Sequence, residues 1–262
     1  MIFIQRSAAP EILNLVGQVK IRAICEEYDQ GKRTFESDSF DKKVYGHQTV
    51  KQALILMQHG KCCYCESKIK HICPGDVEHY RPKAEYRQQH NDAIQKPGYY
   101  WLAYTWDNLL LSCERCNRQY KKNLFPLLHP EKRAQCHKDD VCIETPLLIN
   151  PTITDPKNHI GFRDEIPYPI DDSIYGKTTI KILGLDREAL NESRRDKLAV
   201  LKLFVDIIKK AEASPNETAL QQLAADARHF LLEAIKPNAE YTAMTEATLR
   251  KHLIQLFHDL EK

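Results

Sequence analysis

Lys61-Cys62-Cys63-Tyr64-Cys65-Glu66 and Cys113-Glu114-Arg115-Cys116-Asn117, with 47 residues between Cys65 and Cys113, set how this chain is built. Two thiolates separated by two residues can grip one ion from a tight turn, and two such turns complete a closed, tetrahedral, structural zinc site. Cys62, Cys65, Cys113 and Cys116 are therefore the expected ligands of a structural Zn²⁺, with Cys63 the alternative to Cys62. A redox dithiol is the competing use of a CxxC turn, but that chemistry calls for a βαβ setting and needs no second pair. Cys25, Cys73, Cys136 and Cys142 read as ordinary thiols rather than as a second site built with His137.

The rest of the composition agrees with a metal-stapled globular chain. Of 262 residues, 42% are hydrophobic and 28% charged, which excludes disordered and collagen-like classes. No uncharged apolar run approaches the roughly 18 residues of a membrane span, and Met1-Ile2-Phe3-Ile4-Gln5-Arg6 is too polar for a secretory signal, so a cytoplasmic protein without membrane contact is expected. Nine cysteines then favour metal or free thiols over a disulfide framework. The net charge of +2 is close to neutral, but Lys61 to Lys122 holds eleven Lys or Arg against seven Asp or Glu, a local excess that suits a polyanionic ligand.

Outside the cysteine-rich stretch the periodicity is helical. Residues 10 to 30 predict an amphipathic helix whose stripe of Ile12, Leu15, Val16, Val19, Ala23 and Ile24 faces the core. A loop with at most a short helical turn follows to Gly46. A second helix from His47 to Gln58, with Val50, Ala53, Leu54 and Met57 as its stripe and Gly60 as its stop, delivers the chain to Cys62. Prolines 146, 151, 156, 167 and 169 forbid a long helix there, with short strands expected at 160–162 and 168–170. Helix returns over 176–183, 187–213, 216–235 and 245–260.

The chemistry-bearing residues lie between and beside the cysteine pairs. Glu78-His79 within Asp76-Val77-Glu78-His79-Tyr80, Asn108-Leu109 ahead of Cys113, and Cys116-Asn117 resemble the three signatures of the HNH endonuclease family, here with Asn in the last position. Phosphodiester hydrolysis needs an activated water, a neutralised transition state and a stabilised leaving alkoxide. By this resemblance the fold is α+β and mostly α, with a zinc-stapled ββα-metal module embedded in a helical body. Its strands lie at 77–80 and 109–112, and its helix starts near Glu114. The resemblance makes His79 the general base, Glu78 and Asn117 ligands of a catalytic Mg²⁺ or Mn²⁺, and Asn108 the residue that fixes the loop and orients the base. Arg81, Lys83, Arg118, Lys121 and Lys122 flank these segments and are candidate phosphate contacts. The aromatic run Tyr99, Tyr100, Trp101, Tyr104 and Trp106 is expected to pack the intervening loop rather than to stack bases.

The wider wording is similar to the PtuB-type HNH proteins of Septu and retron-associated phage-defence systems. It includes Val77-Glu78-His79-Tyr80-Arg81-Pro82-Lys83, Gly98-Tyr99-Tyr100-Trp101-Leu102-Ala103-Tyr104 and Leu183-Gly184-Leu185-Asp186-Arg187. That likeness implies an endonuclease acting on nucleic acid, DNA ahead of RNA, beside a PtuA-like ATPase in an oligomeric complex, since the chain has no phosphate-binding GxxxxGK[ST] loop of its own. The division it implies is an N-terminal helical region (1–60), the nuclease module (61–128), a proline-rich connection (129–186) and a C-terminal helical region (187–262). The alternative is a non-catalytic, zinc-stapled adaptor for nucleic acid or protein, in which the Glu-His pair is incidental.

Overall fold

The structure, a computed structural model, describes residues 1–69 and 75–252. Cys73 and the expected helical residues beyond His252 lie outside the described residues. The chain is mostly helical with two small antiparallel hairpins. A π-helical turn Leu13–Gly17 leads into α1 (Gln18–Asp29), followed by α2 (Lys42–Tyr45) and α3 (Gln48–Met57). The first hairpin pairs β1 (Asp76–His79) with β2 (Leu109–Ser112), and a second π-helical segment, Arg115–Lys121, follows it. The second hairpin pairs β3 (Ile160–Arg163) with β4 (Ile166–Pro169). Then come α4 (Ile174–Leu183), α5 (Glu188–Ala213), α6 (Thr218–Ala234) and α7 (Thr242–His252).

Most helices sit within a few residues of the expected bounds because their stripes are real. Along α5, Leu190, Leu198, Leu201, Val205 and Ile208 are all buried, and the helix packs against α6, where Ala224, Ala227 and Leu231 are buried in turn. Val50 and Leu54 bury the expected face of α3.

The N-terminal helix corrects the sequence reading. Leu13, Gly17 and Ile24 are buried, whereas Leu15, Val16 and Val19 are 59%, 42% and 54% exposed. The π-helical turn is the physical reason, since i→i+5 bonding adds a residue to one turn and rotates everything around it out of the 3.6-residue phase. Gly17 is where the helix touches the body, and a Cβ there would sit 3.2 Å from Cβ of Tyr104.

The loop joining β1 to β2 is held down by its own aromatics. Tyr99, Tyr100, Trp101, Tyr104 and Trp106 are all buried, with Tyr100 stacked between Tyr28 of α1 and Phe35 at ring separations of 5.1 and 4.7 Å. They pack, as expected, and offer no exposed platform to a base. Packing of this loop carries the turn Leu102-Ala103 to the end of β1.

Candidate metal and active site

The first hairpin brings the two cysteine pairs together. β1 and β2 pair in the register Asp76↔Ser112 to His79↔Leu109, so Cys113 leaves β2 beside the start of β1. The Cys62–Cys65 turn lies alongside, with the Cys63 amide donating to Leu111 O at 3.0 Å and the Cys62 amide to Ser67 O at 3.0 Å. Gln58 fixes this docking, because its amide donates to Leu111 O (2.8 Å) and Lys61 O (3.1 Å) and accepts from the Leu111 amide (2.8 Å).

The thiol sulfurs of Cys62, Cys65, Cys113 and Cys116 all lie within 4.8 Å of one another. The Cys65 and Cys113 sulfurs are 3.8 Å apart, which matches the edge of about 3.8 Å of a tetrahedron with ~2.3 Å zinc–sulfur bonds. Cys62, not Cys63, is the member of the set. Among the described residues this is the only group of three or more His, Cys, Asp and Glu placed to hold a metal; His137 instead bonds the Tyr100 hydroxyl at 2.7 Å.

Four thiolates around Zn²⁺ leave a formal charge of −2, and the sequence gives no hint of what faces it. Arg187 does: its guanidinium reaches within 3.8 Å of Cys116 Sγ. It is delivered by the left-handed end of α4 at Gly184 (φ +52°), where a Cβ would collide with the Tyr120 ring at 2.0 Å. Arg187 also covers that ring at 5.3 Å.

Apart from the four cysteines, Glu78, His79, Lys83, Asn117 and Lys122 line one cleft of about 180 Å³. His79 is 6% exposed, its ring edge-on to Tyr45 at 4.8 Å. Its Nε2 lies 2.9 Å from Ala103 O, so Nε2 carries the hydrogen and Nδ1 keeps the lone pair. Burial, reinforced by the Lys83 charge, holds the imidazole well below its usual range, which keeps it neutral at neutral pH.

Asn108 secures that geometry. Its Oδ1 accepts from the Arg81 amide (2.7 Å), while Nδ2 donates to Arg81 O (3.0 Å) and Leu102 O (3.2 Å), tying the end of β1 to the turn that presents Ala103 O. Asn108→Ala leaves these buried groups unpaired, for which an expected destabilisation of roughly 2–4 kcal/mol should appear in urea unfolding. A change below about 0.5 kcal/mol would mean that water replaces the amide and that the turn is held by packing.

Glu78 is buried and its Oε1 meets Lys121 Nζ at 2.6 Å, with the Tyr64 hydroxyl at 3.4 Å. Burial pushes its carboxyl up, while the Lys121 ammonium pulls the other way. Asn117 turns its Nδ2 to Asp76 Oδ2 at 3.1 Å, which presents its amide oxygen elsewhere. Asp76 is also gripped through two oxygens by Arg118, at 2.8 and 2.6 Å.

The cations expected to meet phosphate occupy different environments. Lys121 is fully buried and committed to Glu78 and His79 O (3.0 Å), not poised on the surface. Arg81 is paired with Glu144 at 3.0 Å and lies against Phe125. Arg118 is bound to Asp76, Lys122 is exposed at the cleft, and Lys83 points into the cleft, where burial depresses its ammonium to about 8 against the attraction of Glu78.

No protein-family model matches the chain. Among curated proteins it is similar to the Septu protein PtuB of Bacillus mycoides (strain KBAB4), at 39% identity over 198 residues, covering 74% of this chain and 66% of that protein. It is also similar to the Septu protein PtuB of Bacillus thuringiensis, at 31% identity over 163 residues, covering 61% of this chain and 49% of that one. The matched region thus spans between half and about two thirds of these relatives. No helix of the described residues is long and apolar enough to cross a membrane.

Proposed function

The chain is a homologue of the Septu protein PtuB, and from that footing we propose that it is a divalent-metal-dependent HNH endonuclease of antiphage defence, acting beside a PtuA-like ATPase. Its substrate is nucleic acid, DNA ahead of RNA. The observation that carries the reading is the neutral, oriented His79: Nε2 is committed to Ala103 O, so Nδ1 is left as the basic nitrogen in a cleft shared with Glu78 and Asn117.

In this reading His79 Nδ1 takes a proton from water as the oxygen attacks phosphorus, and the P–O bond to the departing sugar oxygen breaks. Glu78 and Asn117 would hold one Mg²⁺ or Mn²⁺, and a carboxylate beside an amide oxygen suits such hard cations. The ion would supply charge neutralisation at the phosphate. Asn108 keeps the base oriented, and Asp76 keeps the Asn117 amide oxygen free by holding its nitrogen. β1, β2 and Arg115–Lys121 supply the strands and helix of the ββα-metal module, residues 61–128. Zn²⁺ on the four cysteines would staple a hairpin too small to have a core of its own. Lys83 and Lys122, with Arg118 and Arg81 beside them, are the phosphate contacts around this centre.

One observation favours the adaptor reading. Glu78 and Asn117 already have protein partners, Lys121 and Asp76, as in a site that needs no ion. The two readings part in a cleavage panel. Protein with and without the partner ATPase is incubated with supercoiled plasmid, single-stranded DNA and RNA in Mg²⁺ or Mn²⁺. Nicking that depends on the added ion is expected; no cleavage of any substrate in either state would leave the adaptor.

A further inference from the structure

Lys83 differs from Arg81, Arg118 and Lys121 in having no acid within ion-pair distance among the described residues, and from the exposed Lys122 in being half-buried in the cleft. Arg81 is paired with Glu144, Arg118 with Asp76 and Lys121 with Glu78. Among the described residues Lys83 makes no ion pair. Its ammonium is instead held over the rings of Tyr45, at 4.8 Å, and Phe40, at 5.5 Å. Aromatic faces orient a cation without neutralising it, so the charge remains available to an anion that enters the cleft.

That ammonium also meets the nitrogen the proposed chemistry needs. Lys83 Nζ lies 3.5 Å from His79 Nδ1. An ammonium has only donors, and Nδ1 of this tautomer has only a lone pair, so the contact directs a Lys83 N–H at the base. At 3.5 Å the bond is long and weak. A phosphate oxygen would accept the same donor at about 2.8 Å with full charge assistance.

We propose that Lys83 masks the base in the free protein and is drawn from His79 Nδ1 to the phosphodiester when substrate enters, so that binding the phosphate exposes the nitrogen that activates water. The proposal rests on the endonuclease reading. It gives the cleft a way to couple phosphate binding to base strength, since a lone pair that accepts a Lys83 N–H is a poorer acceptor for a proton from water. Lys83 keeps its proton throughout; the proton that moves is the one from water to Nδ1.

Lys83→Met keeps an apolar stem against Tyr45 and Phe40 and removes the donor. The first readout is the nitrogen resonance of His79 Nδ1 in histidine-labelled protein, with zinc present, no added Mg²⁺, and dimethyl phosphate as the probe. In the wild type, dimethyl phosphate should shift Nδ1 toward the value of an unbonded ring nitrogen; in Lys83→Met that value should be present from the start and not respond to the probe. An Nδ1 resonance identical in wild type and Lys83→Met, or a wild type indifferent to the probe, overturns the proposal. The second readout is hydrolysis of bis(4-nitrophenyl) phosphate in Mn²⁺. A fall of roughly 10²-fold in kcat for Lys83→Met is expected, with partial recovery in Lys83→Arg, and equal kcat in wild type and Lys83→Met also overturns it. If wild type and His79→Ala are alike inert, the endonuclease reading fails, while the resonance experiment still decides whether Lys83 covers Nδ1.

Discussion

Replacing His79 by alanine is expected to lower the cleavage rate by about 10³-fold, within the range that a positioned general base contributes. The expectation depends on one nitrogen. Nε2 is spent on Ala103 O, and Nδ1 faces the cleft, so the side chain has a single basic atom to offer and its loss removes that atom entirely. His79 is also buried against Tyr45, and alanine would leave a void and an unpaired carbonyl. His79→Gln separates these effects, because its amide can still donate to Ala103 O while having no base to replace Nδ1. Both variants should lose cleavage, and His79→Gln should stay closer to wild type in thermal stability. If His79→Gln retained wild-type kcat, the base would have to be another group.

Replacing Cys113 by serine is expected to have the largest effect on the fold. The four sulfurs join a turn after α3 to the end of β2 and the Arg115–Lys121 segment. If only a third of the roughly 10–16 kcal/mol that zinc contributes to small finger domains is at stake, Tm should fall by roughly 10 °C. Removal of zinc with a chelator should give the same shift in the wild type and none in Cys113→Ser. The two-site account also requires that the wild type bind one zinc that His79→Ala retains. Bound zinc unchanged in Cys113→Ser, with unchanged Tm, would show that the cysteines cluster without a metal.

Local patterns were legible in the chain and distant partnerships were not. The cysteine spacing marked the set of four, because ligand spacing is a property of a few consecutive residues, whereas β2 was placed at 109–112 by the family resemblance. Arg187, 71 residues from Cys116, and Gln58, 53 residues from Leu111, could not be found that way; a lone Arg or Gln carries no spacing signal, and only the packed fold brings it to its partner. The burial of Lys121 was hidden for a related reason. A lysine beside Lys122 reads as surface, and its direction inward is set by the π-helical winding and by Glu78 across the hairpin. The same kind of winding at Leu13–Gly17 turned the expected core stripe of the first helix outward, since periodicity arguments assume 3.6 residues per turn. Asp76 shares the Glu78 face of β1 by strand alternation, but its partners Asn117 and Arg118 lie 41 and 42 residues away, beyond any local pattern.

In the proposed enzyme the labour is divided, the cysteines holding the module while His79 and its neighbours cut. The most direct test of this division compares wild type and His79→Gln, matched for zinc content and Tm, for nicking of supercoiled plasmid in Mg²⁺ with the partner ATPase present. The expected result is cleavage by the wild type and none above background by His79→Gln. Equal cleavage by both would contradict the account.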